Sequence, residues 1–308
     1  MARGELATAV ERGYPSLAAA LAASKQRKQL IRALNKLVRT AFVFALSFLF
    51  LLPFLWMLST SVKTDPQVYH VPPIWIPKPM RWANYGEAMT YVPFGTYLIN
   101  TLKYGFGSTL GVALSSALCA YGFSRLQWRG RDTLFYLMLA TMMLPFQVRM
   151  IPLYLVFHKL GWLNTYLPLV VPSFTGSAYF IFLLRQFMLT IPAELSDAAR
   201  IDGASELGIL LRIILPLSRP ALAVICLFQF MDAWNDYLGP LIYLRDTVKY
   251  PIAMGLEQMR AHSMSINIPL LWPRLMAASA VVTAPIVLLY FFTQRTFVEG
   301  ITLTGLKG

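Results

Sequence analysis

Charge is scarce in this chain of 308 residues. Only 13% are Asp, Glu, Lys or Arg, against about 25% in an ordinary soluble domain. So little charge cannot cover a globular surface with polar groups. Histidine is scarce too: His70, His158 and His262 lie far apart and no His-Glu-x-x-His pair occurs, which argues against a histidine metal site. The two cysteines, Cys119 and Cys226, sit inside apolar runs, which excludes a secreted disulfide scaffold. There is no Gly-x-x-x-x-Gly-Lys-Ser/Thr phosphate loop and no Gly-x-Ser-x-Gly elbow. The chain therefore lacks the usual parts of a phosphate-loop ATP site and of a serine-hydrolase elbow. No cofactor site is expected. Linkers rich in Pro and Ser, short repeats and a soluble domain are likewise missing.

Apolar residues are what the chain has. They make up 57% of it, and the mean hydropathy is +0.55. That hydrophobicity excludes intrinsic disorder and leaves an integral membrane protein. The net charge of +13 then points to an anionic membrane surface and not to nucleic acid. A crossing helix needs about 20 apolar residues. Ala41–Val62, Tyr104–Ser124, Leu160–Leu184 and Leu275–Gln294 carry no charge. Two weaker stretches complete a set of six spans. One runs from Thr133 to about His158, interrupted by Arg149 and bent by Pro145 and Pro152; the other runs from Pro220 to about Leu244, interrupted by Asp232 and Asp236. No segment alternates apolar and polar residues along its length, so a barrel is excluded, and lipid permits no open sheet edge. The expected fold is an all-α membrane protein of six transmembrane helices.

Six spans put both termini on one side. That side carries 17 of the 27 Lys and Arg, including the run Lys25–Arg39, and the other side carries 8. Positive-inside asymmetry makes the richer side cytoplasmic. Residues 1–40 read as a cytoplasmic tail, 41–296 as the six-helix domain, and 297–308 as a C-terminal cytoplasmic tail. The Ala-rich start is not read as a signal peptide, because its apolar stretch is short and a basic segment follows it.

Four charged groups lie within or near the ends of spans: Lys103, Arg149, Asp232 and Asp236. Such groups are costly in a bilayer and face partners or wet cavities. Asp232 and Asp236 are four apart, which would put them on one helix face, with Asn235 and Trp234 beside them. Two readings stay open. The set lines a path for a hydroxyl-rich solute, with rings from Trp234, Tyr237 and Tyr104, or Lys103 and Arg149 simply neutralise the acids between helices.

A cytoplasmic segment of about residues 190–218 stands out. It begins Ile191-Pro-Ala-Glu-Leu-Ser-Asp-Ala-Ala-Arg-Ile-Asp-Gly-Ala-Ser-Glu-Leu-Gly208 and continues to Ile213-Ile-Leu-Pro216. Pro192 suits a first helical turn and Glu194 its positive end. Leu195, Ala198 and Ala199 share a face, Gly203 supplies a turn, and Ile209, Leu210, Ile213 and Ile214 form a second apolar face. The pattern predicts a helix–turn–helix whose small residues let another surface approach. An interfacial segment resting on lipid fits the same pattern.

Asp197-Ala-Ala-x-x-Asp-Gly-Ala204 followed by Ile213-x-Leu-Pro216 resembles the EAA motif of binding-protein-dependent ABC importer permeases. Further stretches resemble the carbohydrate branch of that family, the maltose-type permease with the short N-terminus. They are Asn100-Thr-Leu102, Ala120-Tyr-Gly-Phe-Ser-Arg125, Ile151-Pro-Leu-Tyr154, Ala233-Trp-Asn-Asp-Tyr-Leu-Gly-Pro-Leu241 and the ending from Gln294 to Gly308. Asp197 departs from the family's usual Glu, and Arg149 stands where many relatives have a small or apolar residue.

The resemblance implies a type I ABC importer permease fold in the plasma (inner) membrane. It implies a second permease as heterodimer partner, two ATP-binding ABC ATPase subunits that carry the hydrolysis, an extracytoplasmic solute-binding protein and a sugar substrate. The chain itself would be no enzyme. Glu194, Asp197, Ala198, Ala199, Arg200, Asp202, Gly203 and Ala204 would couple to the ATPase. An outer loop with Gly255, Glu257, Gln258 and Arg260 would meet the binding protein, with Met254–Arg260 as its tip. The C-terminal tail would lie along the ATPase interface. From the residues alone, an intramembrane enzyme such as a transferase and a stand-alone secondary transporter remain the competing classes. The first calls for an acid or His cluster at one interface, the second for inverted repeats.

Overall fold

A computed structural model of the chain describes residues 15–263 and 272–305. Among these every regular element is helical. Of the expected tails, residues 1–14 and 306–308 lie outside the described residues. The chain divides into two compact units, residues 1–58 and 59–308.

The first unit is built on α1 (Pro15–Ser61), a continuous helix of 47 residues with Pro53 inside it. No Gly or Pro occurs from Leu17 to Leu52. The backbone therefore has no reason to break at residue 40, and the expected tail runs into the first span as one helix. Its stretch Arg27–Ser61 is long and apolar enough to cross a membrane.

The second unit is organised around α3 (Phe94–Ser124). It is preceded by α2 (Ala83–Tyr91) and followed by α4 (Arg131–Ala140) and α5 (Phe146–Lys159). Then come α6 (Ala178–Thr190), α7 (Glu194–Ile201), α8 (Arg219–Asn235), α9 (Ile252–Ser263) and α10 (Trp272–Gly305). α3 packs on α6, on α8 and on the short 3-10 turn Val171–Thr175. Its inward face is small: Gly105, Ser108, Gly111, Ser115 and Ser116 are buried there. Lipid is as apolar as a leucine side chain, so helices associate in a bilayer by close packing and not by hydrophobic expulsion. Small residues permit that closeness. A Cβ on Gly111 would stand 2.7 Å from the Phe174 ring, and one on Gly105 3.0 Å from Phe230. Ser115 Oγ donates to the Ser173 carbonyl across the same contact at 3.0 Å.

Among the described residues, four helical stretches are long and apolar enough to cross a membrane, and six if each of two bent pairs counts as one span. The bends correct three expectations. The third span is broken by 98° between Met143 and Phe146, and Pro145 alone does it. Pro145 caps α5 and Leu144 is extended (ψ 109°), as a residue before proline prefers. Pro152 stays inside α5. The fourth span runs from Leu167 to Thr190 and not from Leu160. Residues before it form a turn at Gly161 (φ +68°) and Asn164 (φ +60°). Asn164 Oδ1 accepts from the Arg245 and Asp246 amides at 3.1 Å, which ties that turn to another connection. The fifth span is not one helix to Leu244. α8 ends at Asn235, Asp236 is extended (ψ 113°), and a second short helix covers Leu238–Tyr243.

Two apolar cores lie at opposite ends of α3. One joins Ala120, Tyr121, Leu184 and Met188 to Ala199, Ile209 and Ile214. The other joins Tyr97, Trp234, Ile252, Met259 and Ala277. The second end is clamped by Arg274, whose guanidinium bonds Glu87 at 2.6 Å and Asp65 at 3.3 Å, while Arg81 bonds the other Glu87 oxygen at 2.6 Å.

Overpacking costs about 1–3 kcal/mol. Gly111→Leu is therefore expected to lower the thermal unfolding midpoint of the detergent-purified protein. Gly122→Ala, where a Cβ meets nothing within 4 Å, is expected to leave it level or higher. The Arg274 hydrogen bond, with Arg81 adding to it, holds the Glu87 carboxyl below the usual carboxylate range. A depressed folded pKa means the stabilisation is complete above the unfolded value of about 4.3 and is lost as pH falls through the folded one. Midpoints recorded from neutral to acid pH should fall less steeply in Glu87→Gln than in the parent.

Candidate functional site

The segment following α6 forms a compact hairpin. α7 starts at Glu194, with Pro192 outside it; Pro192 leads into the helix and does not occupy its first turn. Two bonds end α7. The Gly203 amide donates to the Arg200 carbonyl at 3.0 Å, and the Ala204 amide to the Ala199 carbonyl at 2.9 Å. This is the Schellman pattern, which needs a left-handed residue at its corner. Gly203 supplies it with φ +81°. Ser205 then caps the next turn, accepting from the Gly208 amide at 3.2 Å. The chain continues through Glu206–Ile209 and a π-helical turn, Leu210–Ile214. Ile209, Leu210 and Ile214 are fully buried under α3 and α6.

The expected apolar face of α7 looks outward. Ser196 and Ala199 are the buried pair, while Leu195, Ala198 and Ile201 are exposed. The turn leading to Ile209 adds exposed Leu207 to them, and Ile201 is 87% exposed. Glu194, Asp197, Asp202, Gly203 and Ala204 lie on the outer surface as well. Asp202 stands at the C-terminal end of α7, where the helix dipole disfavours an acid. A Cβ on Gly203 would meet nothing within 4 Å, so the space over the corner is open.

Arg200 works inward. Its Nε donates to Glu206 Oε1 and a terminal nitrogen donates to Asp197 Oδ1, both at 2.7 Å. Tyr121 Oη donates to the second Glu206 oxygen, which ties the hairpin to the end of α3. Arg125, one turn further, donates to the Met188 and Ile191 carbonyls at 2.6 Å. Tyr121, Arg125 and Glu206 were not singled out by sequence reasoning. The signal was available: Tyr121 and Arg125 are four apart in the stretch that closes the second span.

The intramembrane charges separate. Arg149, Asp232 and Asp236 line one cavity of about 670 Å³ with Tyr104 and Tyr243. Asp236 has its partners: Tyr104 Oη donates to Oδ2 at 2.8 Å and the Gly239 amide to Oδ1 at 2.9 Å. Because α8 stops before Asp236, the two acids reach the cavity from a helix and from the bend after it, not from one helix face. Lys103 is exposed and lines neither described cavity. Trp234 and Asn235 line a second cavity of about 480 Å³ with Tyr237, Trp272, Glu257 and Arg260.

The expected outer-loop tip is a helix, α9. Its inner side is buried through Met254 and Met259. Gly255 lies against Tyr97, where a Cβ would come within 2.6 Å of the ring, and Gln258 Oε1 accepts from Tyr97 Oη at 3.3 Å. The apolar period Ile252, Leu256, Met259 gives the segment a face to bury, so Gly255 and Gln258 are packing positions. Glu257 and Arg260 pair with each other near the surface.

This is a bundle of membrane-length and broken helices, with a braced surface hairpin at one end and charged cavities between spans. It defines a multi-span, all-helical membrane protein. Residues 107–302 match the family of binding-protein-dependent transport system inner membrane components, and the chain belongs to that family. It is 30% identical over 280 residues to the arabinooligosaccharides transport system permease protein AraQ of Bacillus subtilis (strain 168), covering 89% of this chain and 96% of that one. It is 35% identical over 243 residues to the sn-glycerol-3-phosphate transport system permease protein UgpE of Yersinia enterocolitica, covering 77% and 85%. Among solved structures, a chain of a bacterial ABC transporter involved in import of the acidic polysaccharide alginate superposes with a TM-score of 0.74 at 24% identity. That superposition covers 85% of this chain and 96% of the other.

A side chain at positive φ costs about 1–2 kcal/mol, and Asn bears it best. Gly203→Ala should make the hairpin more readily cleaved in limited proteolysis, whereas Gly203→Asn should stay close to the parent. Arg200→Ala should increase cleavage further, since it leaves Glu206 without its cation.

Proposed function

We propose that this chain is one permease half of an ATP-driven, binding-protein-dependent sugar importer. A second permease completes the path, two ABC ATPase subunits hydrolyse ATP, and an extracytoplasmic solute-binding protein delivers the sugar. Family membership supports the transport role. The names of the relatives, which include arabinooligosaccharide and polygalacturonan/rhamnogalacturonan systems, support a saccharide as cargo. The excess of Lys and Arg on one side supports cytoplasmic termini.

The observation that carries the coupling role is the outward face of the hairpin. Leu195, Ile201 and Leu207 are exposed around an open glycine corner, with Asp202 and Glu194 as exposed acids beside them. The same hairpin is fixed from behind by Arg200, Glu206 and Tyr121. A face that is open to a partner and braced against the spans can transmit force. ATP-driven closure of the ATPase pair would press on the outward face, and the Glu206–Tyr121 joint would pass that movement to α3. In energetic terms the pair of permeases is a two-state system biased by nucleotide and by loaded binding protein. We assign α9 to the rim that receives the binding protein, with Glu257 and Arg260 on its surface, and the C-terminal segment 297–308 to the ATPase interface.

Gly203→Val should give an inserted permease that no longer co-purifies with the ATPase and no longer supports uptake, while Gly203→Asn should retain part of both. Retention of ATPase and uptake by Gly203→Val would sink the coupling role. Membrane-impermeant thiol labelling of Lys78→Cys from outside, with Asp202→Cys reacting only after permeabilisation, is the expected topology.

A further inference from the structure

The larger cavity contains two ionic groups that the fold does not use. Neither Arg149 on α5 nor Asp232 on α8 makes an ion pair or hydrogen bond with any described residue. Asp236 differs, because Tyr104 and the Gly239 amide engage its two oxygens. The cavity therefore presents, among the described residues, one unpaired cation and one unpaired carboxylate from different helices, beside the hydrogen-bonded carboxylate of Asp236. The rings of Phe146, Phe157 and Tyr243 line the same cavity. Arg149 also sits in the first turn of α5 after the 98° break, where the helix end adds positive potential.

Charged groups left unpaired within a span are costly unless a ligand or water meets them. A ligand that is itself charged would satisfy one of the two and repel the other. A neutral polyol suits both: its hydroxyls accept from the guanidinium and donate to the carboxylate, while its C–H faces lie on the rings. Resting on the reading of the chain as a sugar permease, we propose that the Arg149–Asp232 cavity is a translocation subsite for uncharged saccharides that discriminates against acidic ones. This would set the chain apart from the relatives and neighbours whose names refer to sn-glycerol-3-phosphate and acidic alginate.

The test is direct binding to the assembled importer, purified in nanodiscs without its solute-binding protein, so that the delivery protein's own selectivity is removed. The probes are arabinotriose, which is neutral, and trigalacturonate, which is acidic, read by saturation-transfer NMR and competition. Arabinotriose should bind the parent, and both Arg149→Gln and Asp232→Asn should weaken it about tenfold. Trigalacturonate should bind the parent at least tenfold more weakly than arabinotriose. Asp232→Asn should raise its affinity, because the repelling carboxylate is gone and Arg149 remains; Arg149→Gln should not. A merely structural role for either residue would lower both affinities together. The inference is overturned if trigalacturonate binds the parent as well as arabinotriose does, if neither probe binds, or if Asp232→Asn changes the two probes alike. Failure of the sugar-importer reading shows elsewhere, as a parent chain that co-purifies with no ABC ATPase and supports no ATP-dependent sugar uptake, so the two failures are told apart.

Discussion

Close approach of backbones along α3 is the constraint on which the rest of the second unit depends. A bilayer gives helices no hydrophobic reason to associate, so contact must come from fit. Gly105, Gly107 and Gly111 bring α3 within van der Waals reach of Phe230, Val170 and Phe174, which belong to two different spans. With α3 held in this way, its two ends become fixed points. At one end Tyr121 and Arg125 position the hairpin. At the other, Asn100 donates to the Val248 carbonyl at 2.8 Å, and Thr101 Oγ1 accepts from the Ile252 amide at 2.8 Å, which seats the start of α9.

The broken helices follow from a second constraint. Backbone polar groups in lipid must be satisfied internally, so irregular chain at membrane depth survives only where protein or a cavity surrounds it. The break at Pro145 and the interruption at Asp236 both border the larger cavity. At Asp236 the side chain itself repairs the interruption, accepting from the Gly239 amide that begins the next short helix. The acid thus has a structural duty, and its neighbour Asp232 does not. That difference is invisible in a count of intramembrane charges.

The hairpin divides its labour by face. Buried Ile209, Leu210 and Ile214 anchor it, Arg200 stiffens it, and the outward residues are left without intramolecular work. Exposed Ile201 and Leu207, next to a buried anchor at Ile209 and Leu210, are what a partner surface would cover. Asp197 reaches Arg200 at 2.7 Å and forms an internal bridge.

The sequence by itself determined the membrane class, the approximate spans, the helix–turn–helix of 190–218 and the need for a glycine at 203. Each of these rests on local quantities: length of apolar run, positions of charge, helical period and the backbone freedom of one residue. The tertiary structure alone decided the rest. Periodicity placed Leu195, Ala198 and Ala199 together but could not say which face of α7 met the core, because that depends on where α3 and α6 lie. Spacing of four suggested that Asp232 and Asp236 share a face, and the end of α8 at Asn235 undid it. Met254–Arg260 reads as part of a loop, and packing of Gly255 and Gln258 on Tyr97 makes it a seated helix. Long-range partners such as Tyr121 for Glu206 and Asn164 for Asp246 are separated by more than 80 residues, and no local pattern encodes a contact between positions so far apart.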